Sequence, residues 1–291
     1  MTLFWQLMKC LRPDAARAFL MSICLLAMAL AGCGKPRSQS ASAMATVRVT
    51  GASTVYPIVQ MAGEVLRDKG ALRVEAQAGG STRGFEDTLA GRNDLGAIAR
   101  DLTAEESSQV KSIPIAYDGV GIVVNSSQQD LKGLTTADLR KIYRKEITDW
   151  SKLGGKPGKI VTVNKASGHA TLKVFLKHVK LEAAQVKSDV VAGDNAQVLR
   201  VVASTEGAIG YVSMGEAIHA AEIGMKVTLV SLDGVEPTLA AVAAGSYPIF
   251  RTLYLISNGE LKPGAATLVD FLASDEGRQI IADGKYIPMP K

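Results

Sequence analysis

Hydrophobic positions change their spacing repeatedly along the chain after residue 46. Short runs of β-branched residues alternate with stretches in which apolar residues recur every three or four positions. Strands are predicted at 47–50, 72–77, 94–98, 113–117, 120–125, 160–163, 208–211, 227–232 and 251–256. Helices are predicted at 56–69, 171–178, 195–203, 237–244, 265–272 and 276–283, with two more beginning after Thr103 and Thr135. This alternation predicts an α/β fold.

Chain length and turn composition together predict two lobes. The sequence has 291 residues, 47% hydrophobic and 21% charged, which is the composition of a globular protein. The roughly 245 residues that follow the leader are long for one core. Turn-rich segments at 117–119 and 245–248 each lie beside a strongly β run, so the chain is expected to cross between lobes there. The first lobe is then 46–119 with 248–291, and the second is 120–247.

The first 33 residues are expected to be an export signal that takes no part in the fold. Basic residues precede an apolar run at 18–31, which is shorter than the roughly 20 residues that span a bilayer. The run ends in Leu30-Ala31-Gly32-Cys33, which resembles the lipobox of bacterial lipoproteins. Residues 1–32 are interpreted as a signal peptide, Cys33 as the lipidated residue and 34–45 as a flexible tether. A plain secretory signal is the alternative; either places the protein outside the cytoplasm, and lipidation anchors it to a membrane.

Composition excludes several classes of site and partner. Cys10 and Cys24 lie in the leader, so the mature chain would hold only Cys33 and no internal disulfide or cysteine-built zinc site. Neither a metal nor a cofactor is expected. The net charge of +5 is spread among acids and only 5% of residues are aromatic, so nucleic acid is not an expected partner. The sequence contains no GxSxG, HExxH or Walker A motif, and we expect no enzyme.

Three turns rich in glycine and hydroxyl residues, at 50–57, 78–84 and 164–171, each lie between a predicted strand and a predicted helix. A helix N-terminus presents backbone N–H groups and a partial positive charge, which favour a bound anion. Hydroxyls add donors, and Arg83 and Lys165 add positive charge. A simple helix cap explains any one of these turns, but three of them in one chain indicate an anion site.

Eight sequence segments occur in the order found in a known protein family. They are GASTVYP, GGSTRG, AYDGVGIVVN, LTTADLRKIY, ITDWSKLGG, GAIGY, YPIFRTLYL and DEGRQIIADGKYIP. From about Val47 to Pro290 the chain resembles the phosphate-binding proteins that feed the phosphate ABC importer. The resemblance implies a class II periplasmic binding protein fold, in which two α/β lobes are joined by two crossing strands. It also implies a monomer that passes inorganic phosphate, or a similar oxyanion, to an ABC permease in the inner membrane.

The resemblance also implies which residues bind the anion. The first turn and the second turn match the family well, and a basic residue is retained after the strand predicted at 94–98. These positions are Ser53, Thr54, Val55 and Tyr56 in the first turn, Ser81, Thr82 and Arg83 in the second, and Arg100 after the strand.

The third turn departs from the family pattern. The family has an arginine followed by Ser-Gly-Thr, and the corresponding residues here are Lys165, His169, Ala170 and Thr171. Lysine is a point charge on a flexible stem, whereas arginine binds an oxyanion with a planar fork, so discrimination among tetrahedral anions is expected to weaken. His169 has two open interpretations: an anion ligand whose protonation raises affinity as pH falls, or a surface residue at a helix start.

Ala99 stands where the family has a serine or an acceptor aspartate. A carboxylate at that position accepts the proton of hydrogen phosphate and repels sulfate, so this selectivity is lost unless Asp101 or Asp118 reaches the site. Asp118 is interpreted as the cap of a turn near the hinge. The expected ligand is therefore phosphate first. The alternatives are another oxyanion, a phosphonate or phosphate ester, or a non-transport lipoprotein for sensing or adhesion.

Overall fold

The computed structural model of the chain describes residues 44–290. The expected signal peptide, Cys33 and residues 34–43 of the expected tether lie outside the described residues. Within the described range, no helix has both the length and the apolar character needed to cross a membrane.

Strands and helices alternate along the described chain, as predicted. The strands are β1 (Thr46–Gly51), β2 (Arg73–Ala78), β3 (Leu95–Ile98), β4 (Lys111–Asn125), β5 (Val161–Lys165), β6 (Val190–Ala192), β7 (Ala208–Ser213), β8 (Val227–Val230), β9 (Phe250–Ser257) and β10 (Ile287–Pro288). The helices are α1 (Tyr56–Asp68), α2 (Ser81–Leu89), α3 (Ala104–Gln109), α4 (Thr136–Tyr143), α5 (Ala170–Val179), α6 (Asn195–Ser204), α7 (Met214–Glu222), α8 (Leu239–Ala243), α9 (Pro263–Ala273) and α10 (Asp275–Asp283).

One long strand, β4, replaces the two strands predicted at 113–117 and 120–125. The predicted turn at 117–119 was wrong, because β9 pairs with β4 through these residues and continues the extended backbone to Gly119. The carboxyl end of β4 then changes partners, and Val120–Val124 pairs with β7. β4 therefore runs from one sheet region into the other.

Two sheet regions share β4. The strand order along the whole sheet is β2-β1-β3-β9-β4-β7-β5-β6, with β8 and β10 also paired to β4. Pairing is parallel in β1–β2, β1–β3, β5–β6 and β5–β7, and antiparallel where β9 meets β3 and β4. Strand β9 thus lies between β3 and β4 in the sheet, antiparallel to both, although it comes much later in the sequence.

Separate hydrophobic cores lie on the two sides of β4. One contains Ile58, Leu95 and Leu255 and packs α1 and α9 against the β1 side of the sheet. The other contains Ile122 and Phe175 and packs α4 and α5 against the β7 side. We call the regions around these cores the first and the second lobe. The two-lobed α/β fold agrees with the prediction from sequence.

Capping boxes form the starts of α3 and α4. In α3, Thr103 Oγ1 accepts the Glu106 amide, and the Glu106 carboxylate accepts the Thr103 amide. Thr135 and Asp138 form the same reciprocal pair at α4. The helix starts predicted after Thr103 and Thr135 are therefore confirmed.

Candidate functional site

The three predicted turns converge in the structure. The Gly51 carbonyl at the end of β1 accepts the amides of Gly79 and Gly80, at 2.8 Å and 2.9 Å, so the first and second turns are joined. The Thr82 amide donates to the carbonyl of Gly168 at 3.3 Å, which joins the second turn to the third. Helices α1, α2 and α5 consequently begin around one region, where the two lobes meet.

Three hydroxyl groups predicted to bind the anion lie buried in this region. Thr54 and Ser81 come from the first lobe, and Thr171 comes from the first turn of α5 in the second lobe. Ser81 Oγ accepts the amide of Ala99 at 3.0 Å, which ties the start of α2 to the end of β3. Small polar side chains from both lobes therefore lie close to three helix N-termini, an arrangement that suits an oxyanion.

Arg251, which the sequence reasoning did not single out, lies at the centre of the same region. Its guanidinium donates to Thr54 Oγ1 and Thr171 Oγ1, both at 2.9 Å, and to the Ala99 carbonyl at 3.3 Å. Its Nε and Nη2 donate to Asp118 Oδ2 at 3.1 Å and 2.8 Å. The side chains of Arg251 and Asp118 are only 2% and 1% exposed. Arg251 thus connects β9 to both lobes.

Asp118 is not the turn cap that the sequence predicts. It lies inside β4, and its other carboxylate oxygen accepts the Ser213 hydroxyl at 2.8 Å. Asp101, the other acid considered as an acceptor for a protonated anion, is exposed. The carboxylate of Asp118 is therefore already paired with Arg251 and Ser213.

Lys165 occupies the end of β5 and is buried. Its Nζ donates to Asn195 Oδ1 at 2.7 Å and to the Gly193 carbonyl at 3.4 Å. Asn195 Nδ2 in turn donates to Glu216 Oε1 at 2.5 Å and to Thr54 Oγ1 at 3.2 Å. The buried side-chain amide of Asn195, at the start of α6, therefore links Lys165, Glu216 on α7 and the hydroxyl of Thr54 in the first lobe.

Burial shifts the protonation of Lys165 and Glu216 in opposite directions. Loss of water lowers the pKa of Lys165, although the Glu216 charge acts against this change. Loss of water raises the pKa of Glu216, and its hydrogen bond from Asn195 acts against that change. Both shifts come mainly from taking a charge out of water, and a bound anion would favour the protonated form of each group.

His169 stands at the N-cap of α5, and its side chain makes no capping hydrogen bond. It is half-buried beside the third turn. Burial lowers the pKa of its imidazole, and the positive charge of Lys165 lowers it further. Its neighbour Ala170 is buried at the first position of α5. The charged form of His169 is therefore expected only at acidic pH.

Other backbone groups predicted as ligands have protein partners in this conformation. The amides of Val55 and Tyr56 both donate to the Ala52 carbonyl, at 3.1 Å and 3.2 Å. Ser53 lies in the same turn and is partly exposed. The first turn therefore contributes the Thr54 side chain to the buried cluster, while these two amides hold the turn in shape.

The two predicted arginines also have protein partners. Arg83 is exposed and pairs with Asp87 at 3.3 Å and with Gln77 at 2.9 Å. Arg100 is buried and donates to both oxygens of Glu106, at 2.6 Å and 2.7 Å. Neither guanidinium contacts the cluster of Thr54, Thr171 and Arg251 hydrogen bonds described above.

Sequence reasoning missed Arg251, Asn195 and Glu216. Arg251 lies in the quoted segment YPIFRTLYL, and an arginine within a strongly apolar strand is a signal that it needs a buried partner. Asn195 and Glu216 lie near the starts of α6 and α7 and belong to no segment that was interpreted as a turn. Among residues 44–290, no three His, Cys, Asp or Glu side chains are grouped in a way that could hold a metal ion.

Comparisons with known proteins agree with this geometry. Residues 36–276 match the model of the PBP superfamily domain. The chain is 30% identical over 279 residues to the phosphate-binding protein PstS of Bacillus subtilis, and the match covers 90% of each chain.

Solved structures give the same result. A protein from Clostridium perfringens assigned as a phosphate ABC transporter substrate-binding protein, solved with bound phosphate, is 28% identical with a TM-score of 0.78. That match covers 84% of this chain and 100% of the other. An ABC-type phosphate transport receptor from Vibrio cholerae is 25% identical, with a TM-score of 0.66 and coverage of 84% and 100%. These relatives are binding proteins and transport receptors, not enzymes. The chain belongs to the PBP superfamily and, within it, to the family of the PstS phosphate-binding proteins.

Proposed function

We propose that this protein binds inorganic phosphate outside the cytoplasm and delivers it to an ABC importer. The observation that carries the proposal is the convergence of Thr54, Ser81 and Thr171 with the buried Lys165 where three helices begin. Hydroxyl donors, helix N-termini and one cation in a region with little water are the groups that bind a dehydrated oxyanion. The names of the relatives support phosphate as that anion.

Binding proceeds by closure of the two lobes over the anion. We assign 46–119 and 248–291 to the first lobe and 120–247 to the second. The change of pairing partner along β4, from β9 up to Gly119 to β7 from Val120, supports these limits. The contact of the second turn with the third, between Thr82 and Gly168, is the kind of contact that closure forms.

Half of the predicted ligands enter this proposal with distinct roles. The hydroxyls of Thr54, Ser81 and Thr171 donate to the anion, and Lys165 supplies the charge. The backbone amides at the start of α5, at Ala170 and beside His169, complete the set. Ser53, Val55, Tyr56, Thr82, Arg83 and Arg100 stay predicted ligands on the family resemblance alone.

Attachment to the membrane and transfer to a permease complete the proposal. The Leu30-Ala31-Gly32-Cys33 segment supports processing by a lipoprotein pathway, with a signal peptide of residues 1–32 and lipid on Cys33. The protein then works as a monomer and meets an ABC permease in the inner membrane. Cys33→Ala would release the protein from the membrane fraction, which immunoblotting of fractionated cells measures.

A second candidate ligand is another tetrahedral oxyanion or a phosphonate. Lys165 in place of the family's arginine and Ala99 in place of an acceptor favour it. Asp118 is paired with Arg251, so it does not substitute as an acceptor for the proton of hydrogen phosphate. Without that acceptor, the site is expected to discriminate poorly between hydrogen phosphate and sulfate.

Thermal unfolding of residues 34–291 in the presence of anions tests the proposal. Phosphate at about a hundred times its dissociation constant adds roughly 2.7 kcal/mol and raises the midpoint by a few degrees. Ser81→Ala should reduce this shift, while Ser108→Ala, which removes an exposed hydroxyl on α3, should not. A shift with sulfate, molybdate or methylphosphonate but not phosphate would favour the second candidate. No shift with any of these anions would contradict both.

A further inference from the structure

Arg251 uses all of its hydrogen-bonding capacity within the protein. A guanidinium has five N–H groups, and here they donate to Asp118 twice and once each to Thr54, Thr171 and the Ala99 carbonyl. No N–H group remains for a bound anion in this conformation. Arg251 can therefore influence anion binding only through the residues that it contacts.

These contacts fix the direction in which the hydroxyl groups donate. Thr54 Oγ1 accepts from both Arg251 and Asn195, which occupies its two lone pairs and leaves one proton to donate. Thr171 Oγ1 also accepts from Arg251. Ser81 Oγ accepts from a backbone amide. Each of the three hydroxyls thus keeps its proton for another acceptor, and an oxyanion is composed of such acceptors.

Charge at the site is divided between two cations. The positive charge of Arg251 is balanced by direct contact with Asp118, and both side chains are almost fully buried. Lys165 instead donates to the neutral oxygens of Asn195 and Gly193. Lys165 is therefore the cation whose charge is available to the anion, and Arg251 adds order to the site with little net charge.

We propose that Arg251 is a positioning residue of the anion site, which turns the hydroxyls of Thr54 and Thr171, one from each lobe, toward the bound oxyanion. Asp118 holds the guanidinium in place for this purpose. This inference rests on the proposed function, because it needs an oxyanion in the same region. Lysine at position 251 would keep the charge but has three N–H groups on one atom, so it could not span Thr54, Thr171 and Asp118 together.

A double-mutant cycle with Arg251→Lys and Thr54→Val tests the inference, with phosphate affinity of the mature chain measured by calorimetry. Each single variant should weaken binding by about tenfold or more, because Thr54→Val removes one donor and Arg251→Lys leaves the hydroxyls of Thr54 and Thr171 without the contact that orients them. The double variant should bind phosphate about tenfold more tightly than the product of the two single losses of affinity predicts, because Arg251 acts through the Thr54 hydroxyl. Thr54→Ser keeps the hydroxyl and should retain affinity within about threefold.

Asn125→Ala is the matched control for lost stability. Its buried amide donates to the carbonyls of Val202 and Ala203, in the second lobe, and makes no contact with the anion region. It should lower the unfolding temperature and leave phosphate affinity unchanged. If Arg251→Lys does not fold, the pair Arg251→Gln with Asp118→Asn replaces it in the same cycle, since that pair is neutral and retains polar contact.

Two outcomes would overturn the inference while leaving the proposed function intact. One is that the losses from Arg251→Lys and Thr54→Val simply multiply. The other is that Arg251→Lys behaves like Asn125→Ala, with a lower unfolding temperature and unchanged affinity. If the unchanged protein binds another anion instead of phosphate, the cycle is run with that anion. If it binds none of the anions tested, both proposals fail.

Discussion

Lys165 is a buried cation whose two acceptors are neutral oxygens, those of Asn195 and Gly193. An ammonium group in this position loses hydration without gaining a carboxylate in direct contact, so burial lowers its pKa. The negative charge of Glu216, on the other side of Asn195, partly offsets this lowering, and the positive charge of Arg251 lowers the pKa of Lys165 further. An anion beside Lys165 would restore the missing negative charge, so phosphate binding and protonation of Lys165 strengthen each other.

Lys165→Arg should therefore make phosphate binding less dependent on pH. Between about pH 7 and pH 9, Lys165 with a lowered pKa loses its proton, and phosphate affinity should fall by up to about tenfold per pH unit. Arginine stays protonated throughout this range, so the variant should lose the part of the slope that comes from Lys165. The part that comes from Glu216, whose pKa burial raises to about 7, should remain. Calorimetric titration of both proteins with phosphate across the range measures the difference.

His169→Gln is the control for this pH dependence. The pKa of His169 is lowered, so its imidazole is already neutral above about pH 7 and its removal should leave the slope between pH 7 and pH 9 unchanged. A slope that disappears in His169→Gln and persists in Lys165→Arg would assign the titration to the histidine and contradict the role given to Lys165.

The sequence indicated some of the residues of the site better than others. Thr54, Ser81 and Lys165 lie in turns whose glycine and hydroxyl content is visible locally. Arg251 is separated from Thr54 by 197 positions, and Asn195 from Thr54 by 141. No local sequence pattern predicts such contacts, because they depend on how β9 and α6 are placed in the complete fold.

Among the elements, α3 is a short helix, and Glu106 makes two kinds of contact at its start. Glu106 accepts the Thr103 amide at 2.9 Å as part of the capping box, and both of its oxygens accept hydrogen bonds from Arg100. The ion pair with Arg100 holds the pKa of Glu106 at about 2, below its ordinary value of 4.5. The helix of six residues is too short to persist without such contacts.

Glu106→Gln should destabilise the protein at neutral pH and have little effect in acid. A carboxyl whose pKa is depressed on folding contributes stability above its unfolded pKa of about 4.5 and loses it as pH falls toward 2. At pH 7 the loss should be about 1–2 kcal/mol, because the pair is partly exposed and screened. Urea unfolding at pH 7, 5 and 3 measures it. Glu105→Gln, exposed on the same helix, should show no such dependence.

Strand β4 shows why elements near the hinge are hard to predict. Asp118-Gly119 has the composition of a turn, and the prediction of a turn there was reasonable from local sequence. The extended backbone persists because β9 supplies hydrogen bonds on one side and Arg251 pairs with Asp118. Helices α2 and α7 and strands β6 and β10 have no counterpart among the predicted ranges. The two strands have only three and two residues, and α7 follows β7 without a turn.

For the whole molecule, the contact between the lobes depends on a glycine in the second turn. Gly80 has a φ of +89°, and a Cβ at this position would lie 2.7 Å from the Gly168 carbonyl oxygen in the third turn. A side chain there is disfavoured by the backbone conformation and also pushes the two turns apart. The approach of the lobes therefore leaves no room for any larger residue.

Gly80→Ala should weaken phosphate binding by about tenfold or more, since the added methyl group opposes the contact between the second and third turns that the proposed closure would form. Small-angle scattering should show a smaller decrease in radius of gyration with phosphate than in the unchanged protein. Gly91→Ala is the matched control, because Gly91 also has a positive φ of +65° but no atom lies within 4 Å of its added Cβ. Equal losses of affinity in both variants would show that backbone strain, not the contact between turns, is responsible.

The position of β9 between β3 and β4 determines the order in which the two lobes can fold. The strands around the second core, from Val120 in β4 to β8, are all synthesised before β9. Strands β3 and β4 of the first sheet region cannot be joined until β9 has been synthesised. Gly96 in β3, for example, pairs with Ile256, which comes 160 positions later. Contacts at such separation form slowly. A chain that becomes available progressively from its N-terminus would therefore complete its second lobe first. The unpaired edges of β3 and β4 would be the segments most exposed to aggregation until the last forty residues or so follow.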